Sequence, residues 1–327
     1  KSRKQDLGFE LKTLNSNLSI IVDLFKEHRT GIFLGRGLVP NYIGLVSTPS
    51  GNLGETRNKG IDGTLEYIAK FSQDFDVTFR ANYTYNKDKI IENDQAPTKY
   101  PWMELRGSNI LARTGYIAEG LFNSQAEIDA SPRQFGTLLP GDIKYKDLNG
   151  DGLIDAFDRT IIGRGDVPSA MYGFGFAARY KGFDFGAFFQ GQHNADINIG
   201  GDAIAAFTTS AGQGNLHSIV TDRWTVENPR QDATFPRLSY GVNNNNFQTS
   251  TWWRRDISFL RLKNLDFGYT LNDGVKTIGV KRLRVYFTGY NILTFSKFKM
   301  WDPELASGNG TRYPLISTYS LGLTANF

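Results

Sequence analysis

The last nine residues, YSLGLTANF at 319–327, alternate without a break: Tyr319, Leu321, Leu323, Ala325 and Phe327 share one face, Ser320, Gly322, Thr324 and Asn326 the other. A period of two is the pattern of a β-strand with one apolar side. The stretch 281–295, KRLRVYFTGYNILTF, repeats it, with Leu283, Val285, Phe287, Leu293 and Phe295 opposed to Arg284, Tyr286, Thr288 and Thr294. The chain begins in the same way. Leu7, Phe9 and Leu11 oppose Gly8, Glu10 and Lys12; after a polar turn at 15–17, Leu18, Ile20, Val22 and Leu24 form a second apolar face. A third strand aligns Ile61, Leu65, Tyr67, Ala69 and Phe71, and a fourth Val77, Phe79, Ala81, Tyr83 and Tyr85. The fifth aligns Tyr172, Phe174, Phe176, Ala178 and Tyr180; the sixth, Phe183, Phe185, Ala187 and Phe189. In the seventh, Leu265, Phe267, Tyr269 and Leu271 are in register, but SFLRL at 258–262 is out of phase with them. That slip predicts a β-bulge near 261–263.

About nine strands result, each near the roughly 9–11 residues that a tilted strand needs to cross a bilayer. Their connections alternate. Short turns fall at 15–17, 72–75 and 181–182, with a longer one at 272–281; long irregular connections fall at about 28–56, 87–169, 193–250 and 296–317, all on one side of the sheet. Outer-membrane barrels have this asymmetry, with short periplasmic turns and long external loops. An apolar edge strand in water would template aggregation, so the terminal strand needs both a partner and an apolar cover.

A secreted β-sandwich would also alternate. Against it, the polar faces carry Glu10, Glu66, Arg80, Arg179, Asp184 and Arg284, the apolar faces are crowded with aromatics, and the irregular connections are long. A wide barrel with a wet interior accommodates all three. The expected fold is therefore all-β, an antiparallel transmembrane β-barrel occupying the whole of 1–327. Bacterial barrels close with an even strand number. Either further strands precede residue 1 or the count is off, and a chain whose first residues already alternate is expected to be a piece of a larger one.

Composition agrees and excludes several classes. An aromatic fraction of 13% with 35 glycines favours strands and turns. There is no cysteine, hence neither a disulfide framework nor a thiolate metal site. The net charge of +4 is spread along the chain, which gives no support for nucleic acid as a partner. No apolar run approaches the roughly 18 residues of a membrane helix, which leaves barrel strands untouched because they alternate.

One segment carries chemistry. DLNGDGLIDAFD at 147–158 offers side-chain oxygens at Asp147, Asn149, Asp151, Asp155 and Asp158 and a backbone carbonyl at Leu153, the 1, 3, 5, 7, 9, 12 spacing of a calcium loop, with Gly152 at the sharp sixth position. Aspartate in twelfth place reaches less far than the usual glutamate. The expectation is a structural Ca2+ ion pinning an external loop; an Asx-rich turn without an ion is the alternative. An enzyme is not expected: His28, His193 and His217 are far apart in sequence, and there is no phosphate loop. Trp102, Trp224, Trp252, Trp253 and Trp301 all fall in long connections, where they could stack on sugars, anchor at an interface or pack the loops.

Several runs resemble the SusC/RagA-type TonB-linked outer-membrane transporters of Bacteroidetes: NLGETRNKGIDG at 52–63, PGDIKYKDLNGDGLIDAFDRTIIG at 140–163, YKGFDFGAFFQG at 180–191, WTVENP at 224–229, FLRLKNLDFGYTL at 259–271 and LRVYFTGYNILTF at 283–295. They occur in that family's order over nearly the whole chain. The resemblance implies the C-terminal portion of a 22-stranded barrel, with the plug domain, the TonB-contacting segment and the earlier strands lying outside this sequence. It further implies a SusD-like surface lipoprotein as lid, outer-membrane lipid around the strands, and TonB-powered import of oligosaccharides or, in some members, oligopeptides. A glycan-binding or adhesive surface protein without transport is the alternative from another class.

Overall fold

The computed structural model describes residues 1–39, 41–201, 204–207, 216–271 and 279–327. Nine strands pair in chain order into one antiparallel sheet: β1 (Ser2–Thr13), β2 (Leu18–Gly35), β3 (Ser50–Lys70), β4 (Phe75–Glu92), β5 (Ala170–Tyr180), β6 (Phe183–His193), β7 (Phe259–Leu271), β8 (Arg282–Ser296) and β9 (Thr318–Asn326). β1 and β9 are its two edges. The expected strand count is met.

Register sets the apolar positions in rows across the strands. One row runs Tyr67, Phe79, Phe176, Ala187, Leu265, Gly289, Tyr319; the next runs Ala69, Val77, Ala178, Phe185, Phe267, Phe287, Leu321. The large side chains on this face are largely open, while smaller residues of the rows such as Val77 and Ala187 are buried at 8% exposure each. Leu7 is 69% exposed, Phe9 58% and Leu321 84%, and the same face of every other strand presents Leu, Val, Phe or Tyr to the surroundings. No second sheet lies over them among the described residues, so the sandwich alternative does not hold. From Phe75 to Tyr85 the apolar face of β4 runs roughly 33 Å at about 3.3 Å per residue, which a tilt of about 45° reduces to about 23 Å. That is close to the roughly 25 Å apolar band of outer-membrane barrels. Aromatic rings mark the short-turn edge of this band. Phe71 stacks on Phe75 at 4.9 Å between centroids, Phe75 meets Tyr180 edge-on at 5.8 Å, and Phe183 meets Tyr269 at 4.4 Å. Rings of this kind form the girdles where lipid gives way to water.

The predicted bulge is present. Phe188 and Phe189 of β6 face Asn264 and Leu262 of β7, leaving Lys263 without a partner and moving the outward face from Leu265 to Leu262. β8 answers with its own irregularity, Asn291 taking a left-handed φ of 53° between Tyr290 and Leu293.

Strand bounds differ from the sequence reading where the strands outrun the apolar band. β2 continues to Gly35 and β3 begins at Ser50, so the connection expected at 28–56 shrinks to 36–49; β4 continues to Glu92, so the one expected from 87 starts at 93. In these extensions apolar residues stand side by side, as at Ile32, Phe33 and Leu34 and at Ile90 and Ile91, among polar ones, and the alternation that betrays a strand is lost. The third and fourth long connections span 194–258 and 297–317. Most of the turn expected at 272–281 lies outside the described residues.

The hydrophobic core is in the connections instead of the sheet. Tyr116, Leu121, Ile143, Tyr145, Ile154, Ile199, Trp224, Phe235, Trp253, Ile257 and Phe298 cluster with near-complete burial, and every one of them belongs to a long connection. The protein thus has an apolar exterior on its strands and a packed layer at one end.

Candidate functional site

The face of the sheet opposite the apolar rows is polar and bound together by cross-strand ion pairs. Arg80 Nε lies 2.7 Å from Glu66, Arg179 Nη2 lies 3.2 Å from Asp76, and Arg284 reaches Asp184 through Nε at 3.1 Å and Nη2 at 2.5 Å. Each pair sits on adjacent or near-adjacent strands at one level, as alternation requires. Glycines on this face make room for rings from neighbouring strands. The Phe188 ring lies against Gly173 and Gly175, Phe25 against Gly60, and Tyr286 against Gly322, where any Cβ would collide with the phenol. Glycine in a strand interior commonly marks such a close approach. Between the rings, shallow concavities are lined by Thr78, Arg80, Asn264 and Asp266 and by Asp62, Thr64, Asn82, Thr84 and Gln190. This wall combines donors, acceptors and aromatic faces.

Above the wall, two long connections are clasped together by a buried polar network. The carboxylate of Asp142, fully buried, accepts hydrogen bonds from Leu139 N at 2.8 Å, Arg237 Nη2 at 3.0 Å, Asn243 Nδ2 at 3.1 Å and Asn246 Nδ2 at 2.8 Å. Asn246 Oδ1 accepts from Ile143 N, Asn245 Nδ2 donates to Ile143 O, and Gln134 Nε2 donates to Asn245 Oδ1 at 2.9 Å. Tyr145 donates its hydroxyl to Asn245 O at 2.7 Å, and burial pushes this phenol well above its ordinary pKa, so it stays a neutral donor. The run of four asparagines at 243–246 is therefore the clasp between 93–169 and 194–258. Sequence reasoning treated it as irregular loop; adjacent amides that each carry donor and acceptor were the available signal. At the layer's flank the Arg106 guanidinium, bonded to Glu104 at 2.9 Å, holds that carboxyl at about 2.

The six residues of the expected calcium loop lie in one turn that runs from the exposed Asp151 to the buried Asp158. Asp147 accepts from Gly150 N at 2.7 Å and Gly152 N at 2.8 Å; Asn149 accepts from Asp151 N and Asp151 from Leu153 N, both at 3.0 Å. Gly150 and Gly152 have φ of 72° and 81°, so the sharp turn predicted at Gly152 forms. Asp155 caps a short 3-10 turn, and the buried Asp158 accepts from Leu148 N at 2.8 Å and Asp155 N at 2.9 Å. The carboxylates are thus engaged by the loop's own amides, and among the described residues there is no group of three or more His, Asp or Glu side chains poised to hold a metal. Ile154 N donates to Arg133 O and Arg133 N to Gly152 O, tying the turn to the layer.

The tryptophans pack and bond within the layer. Trp224 and Trp253 are core residues, Trp253 Nε1 donates to Asn246 O at 2.6 Å, Trp102 stacks on Tyr100 at 4.5 Å and donates to Phe157 O, and Trp301 donates to Ser307 O. The histidines stay apart: His28 bonds Glu55 on the outward face, His193 ends β6, and His217 precedes a 3-10 turn.

TonB-dependent receptor P26 of Formosa agariphila is 30% identical over 98% of this chain, receptor P3 of the same organism 27% over 100%, and TonB-dependent receptor SusC of Bacteroides thetaiotaomicron 24% over 100%. The chain spans about a third of each of these relatives, 34%, 34% and 32%. Among solved structures, that of the RagAB peptide transporter superposes over 100% of this chain and 35% of its own, with a TM-score of 0.73 at 23% identity. No family model matches the chain. The nine-stranded sheet has the fold of those transporters' barrels, and the chain belongs to the SusC/RagA type of TonB-dependent receptor.

Proposed function

We propose that these nine strands are part of an outer-membrane barrel for TonB-dependent import of nutrient oligomers, oligosaccharides foremost, beneath a SusD-like surface lipoprotein. The observation that carries this reading is the inversion of polarity: apolar rows outward, ion pairs and amides inward, and a packed layer at one mouth. Asn82, Thr84, Gln190 and Asn264 supply hydrogen bonds and Phe188 a ring face, a lining matched to hydroxyl-rich chains. The outer membrane has no ATP, so uptake against a gradient needs energy relayed from the inner membrane. No catalytic role is assigned: the wall lacks a nucleophile paired with a base. The test is uptake of labelled oligosaccharides and oligopeptides by cells with and without the gene, and with and without TonB. Saccharide uptake that needs both is the expected result; peptide uptake in its place would change the cargo, and loss of neither would end the import reading.

The 147–158 turn is proposed to take one structural Ca2+ on Asp147, Asn149, Asp151, Asp155, Asp158 and the Leu153 carbonyl. Each carboxylate oxygen has a second lone pair, so the amide bonds leave room for a cation. Metal analysis of the purified protein should find calcium, lost on Asp151→Ala; equal calcium in both, or none in either, sinks this assignment.

A further inference from the structure

Beyond the apolar rows of β1–β4 the inward face mixes signs, Glu27 standing opposite Lys4 and bonded to Arg29, and Asp88 bonded to Arg164, whereas cations outnumber anions on the outward face. In the register row adjoining Leu24, Ile61 and Tyr85, the residues are Lys26, Lys59 and Lys87, directly paired across three strands, and the row after it holds His28, Arg57 and Lys89. Glu55 is taken by His28 at 2.6 Å and Arg57 at 3.8 Å. Among the described residues, no ion pair or hydrogen bond engages the side chains of Lys26, Lys59 or Lys87, and all three are exposed.

Like charges directly opposite one another destabilise a sheet. With strands about 4.8 Å apart, the backbones of the three paired lysines span only about 10 Å, and an anion among their side chains would relieve the repulsion. Their place narrows its identity. The rows stand on the side of the long connections, which is external in outer-membrane barrels, and continue the face that meets hydrocarbon. Lysine stems lie along apolar surface and lift the charge to the headgroup level. An occupant there has its anionic group directly above acyl chains, which a dissolved anion lacks.

We propose that Lys26, Lys59 and Lys87 bind the phosphate of a phosphorylated glycolipid in the outer leaflet, with Arg57 and Lys89 as a second tier. This rests on the outer-membrane reading above. The test uses the intact barrel containing these strands, inserted in phosphatidylethanolamine nanodiscs, with insertion scored first by heat-modifiable migration. Native mass spectrometry then measures retention of diphosphorylated lipid A and of its dephosphorylated form. Wild type should prefer the phosphorylated lipid. The triple variant Lys26→Gln, Lys59→Gln, Lys87→Gln should lose about 100-fold in retention, about 3 kcal/mol for three charges, whereas the triple Lys→Arg variant keeps it. Equal retention by the Gln variant overturns the site, as does displacement by inorganic phosphate at the lipid's own concentration. A protein that fails to insert at all overturns the outer-membrane reading and this site with it; one that inserts but does not discriminate overturns this site alone.

Discussion

Phe176→Arg is expected to destabilise the inserted barrel by about 2–4 kcal/mol, while Thr288→Arg leaves it close to wild type. Phe176 sits mid-band, between Phe79 and Ala187 in neighbouring strands, so a guanidinium there meets hydrocarbon. Thr288 lies between Asp266 and Ser320 on the wet face, where a cation gains a carboxylate neighbour. The cost depends on depth. Val285 shares its row with Tyr269 and Leu323 at the short-turn edge, so Val285→Arg should cost less than Phe176→Arg. Unfolding of the three variants from lipid bilayers in denaturant measures this ordering. Equal midpoints for Phe176→Arg and Thr288→Arg would remove the assignment of the outward face to lipid.

Asp142→Ala is the second large effect, expected at about 3–5 kcal/mol in the loop layer, because it leaves Arg237 without its buried counter-charge. Asn243 and Asn246 lose an acceptor at the same time. Asp142→Asn keeps the shape but sets an amide donor among donors, so it should also be destabilising. Trp224 and Trp253 lie in the core this network borders, and their fluorescence reports its melting. The expected result is a lowered melting midpoint by fluorescence with unchanged heat-modifiable migration of the barrel. An unaltered fluorescence midpoint would mean the clasp does not hold the layer.

Legibility in the sequence followed solvent. Where strands pass between hydrocarbon and water, alternation named them, and even the Lys263 bulge was visible as a phase slip between Leu262 and Leu265. Where β2, β3 and β4 rise beyond the band, both faces carry polar residues such as Glu27, His28, Arg57 and Lys89, and the period disappears although pairing continues. The loop layer was the least legible. Its core residues, Tyr116, Ile143, Trp224 and Phe235 among them, come from separate segments with no repeat, joined by contacts more than a hundred positions apart such as Asn246 to Asp142. The family resemblance adds what periodicity cannot, the expectation of a larger barrel around the sheet.

The apolar cluster of the connections shares no residue with the nine strands. Each of the two bodies is consequently built from its own residues, one from the alternating strands and one from the connections between them. A substitution in the cluster of the connections therefore alters no position of the sheet, and one on the apolar rows alters none of the cluster, so the two can vary independently.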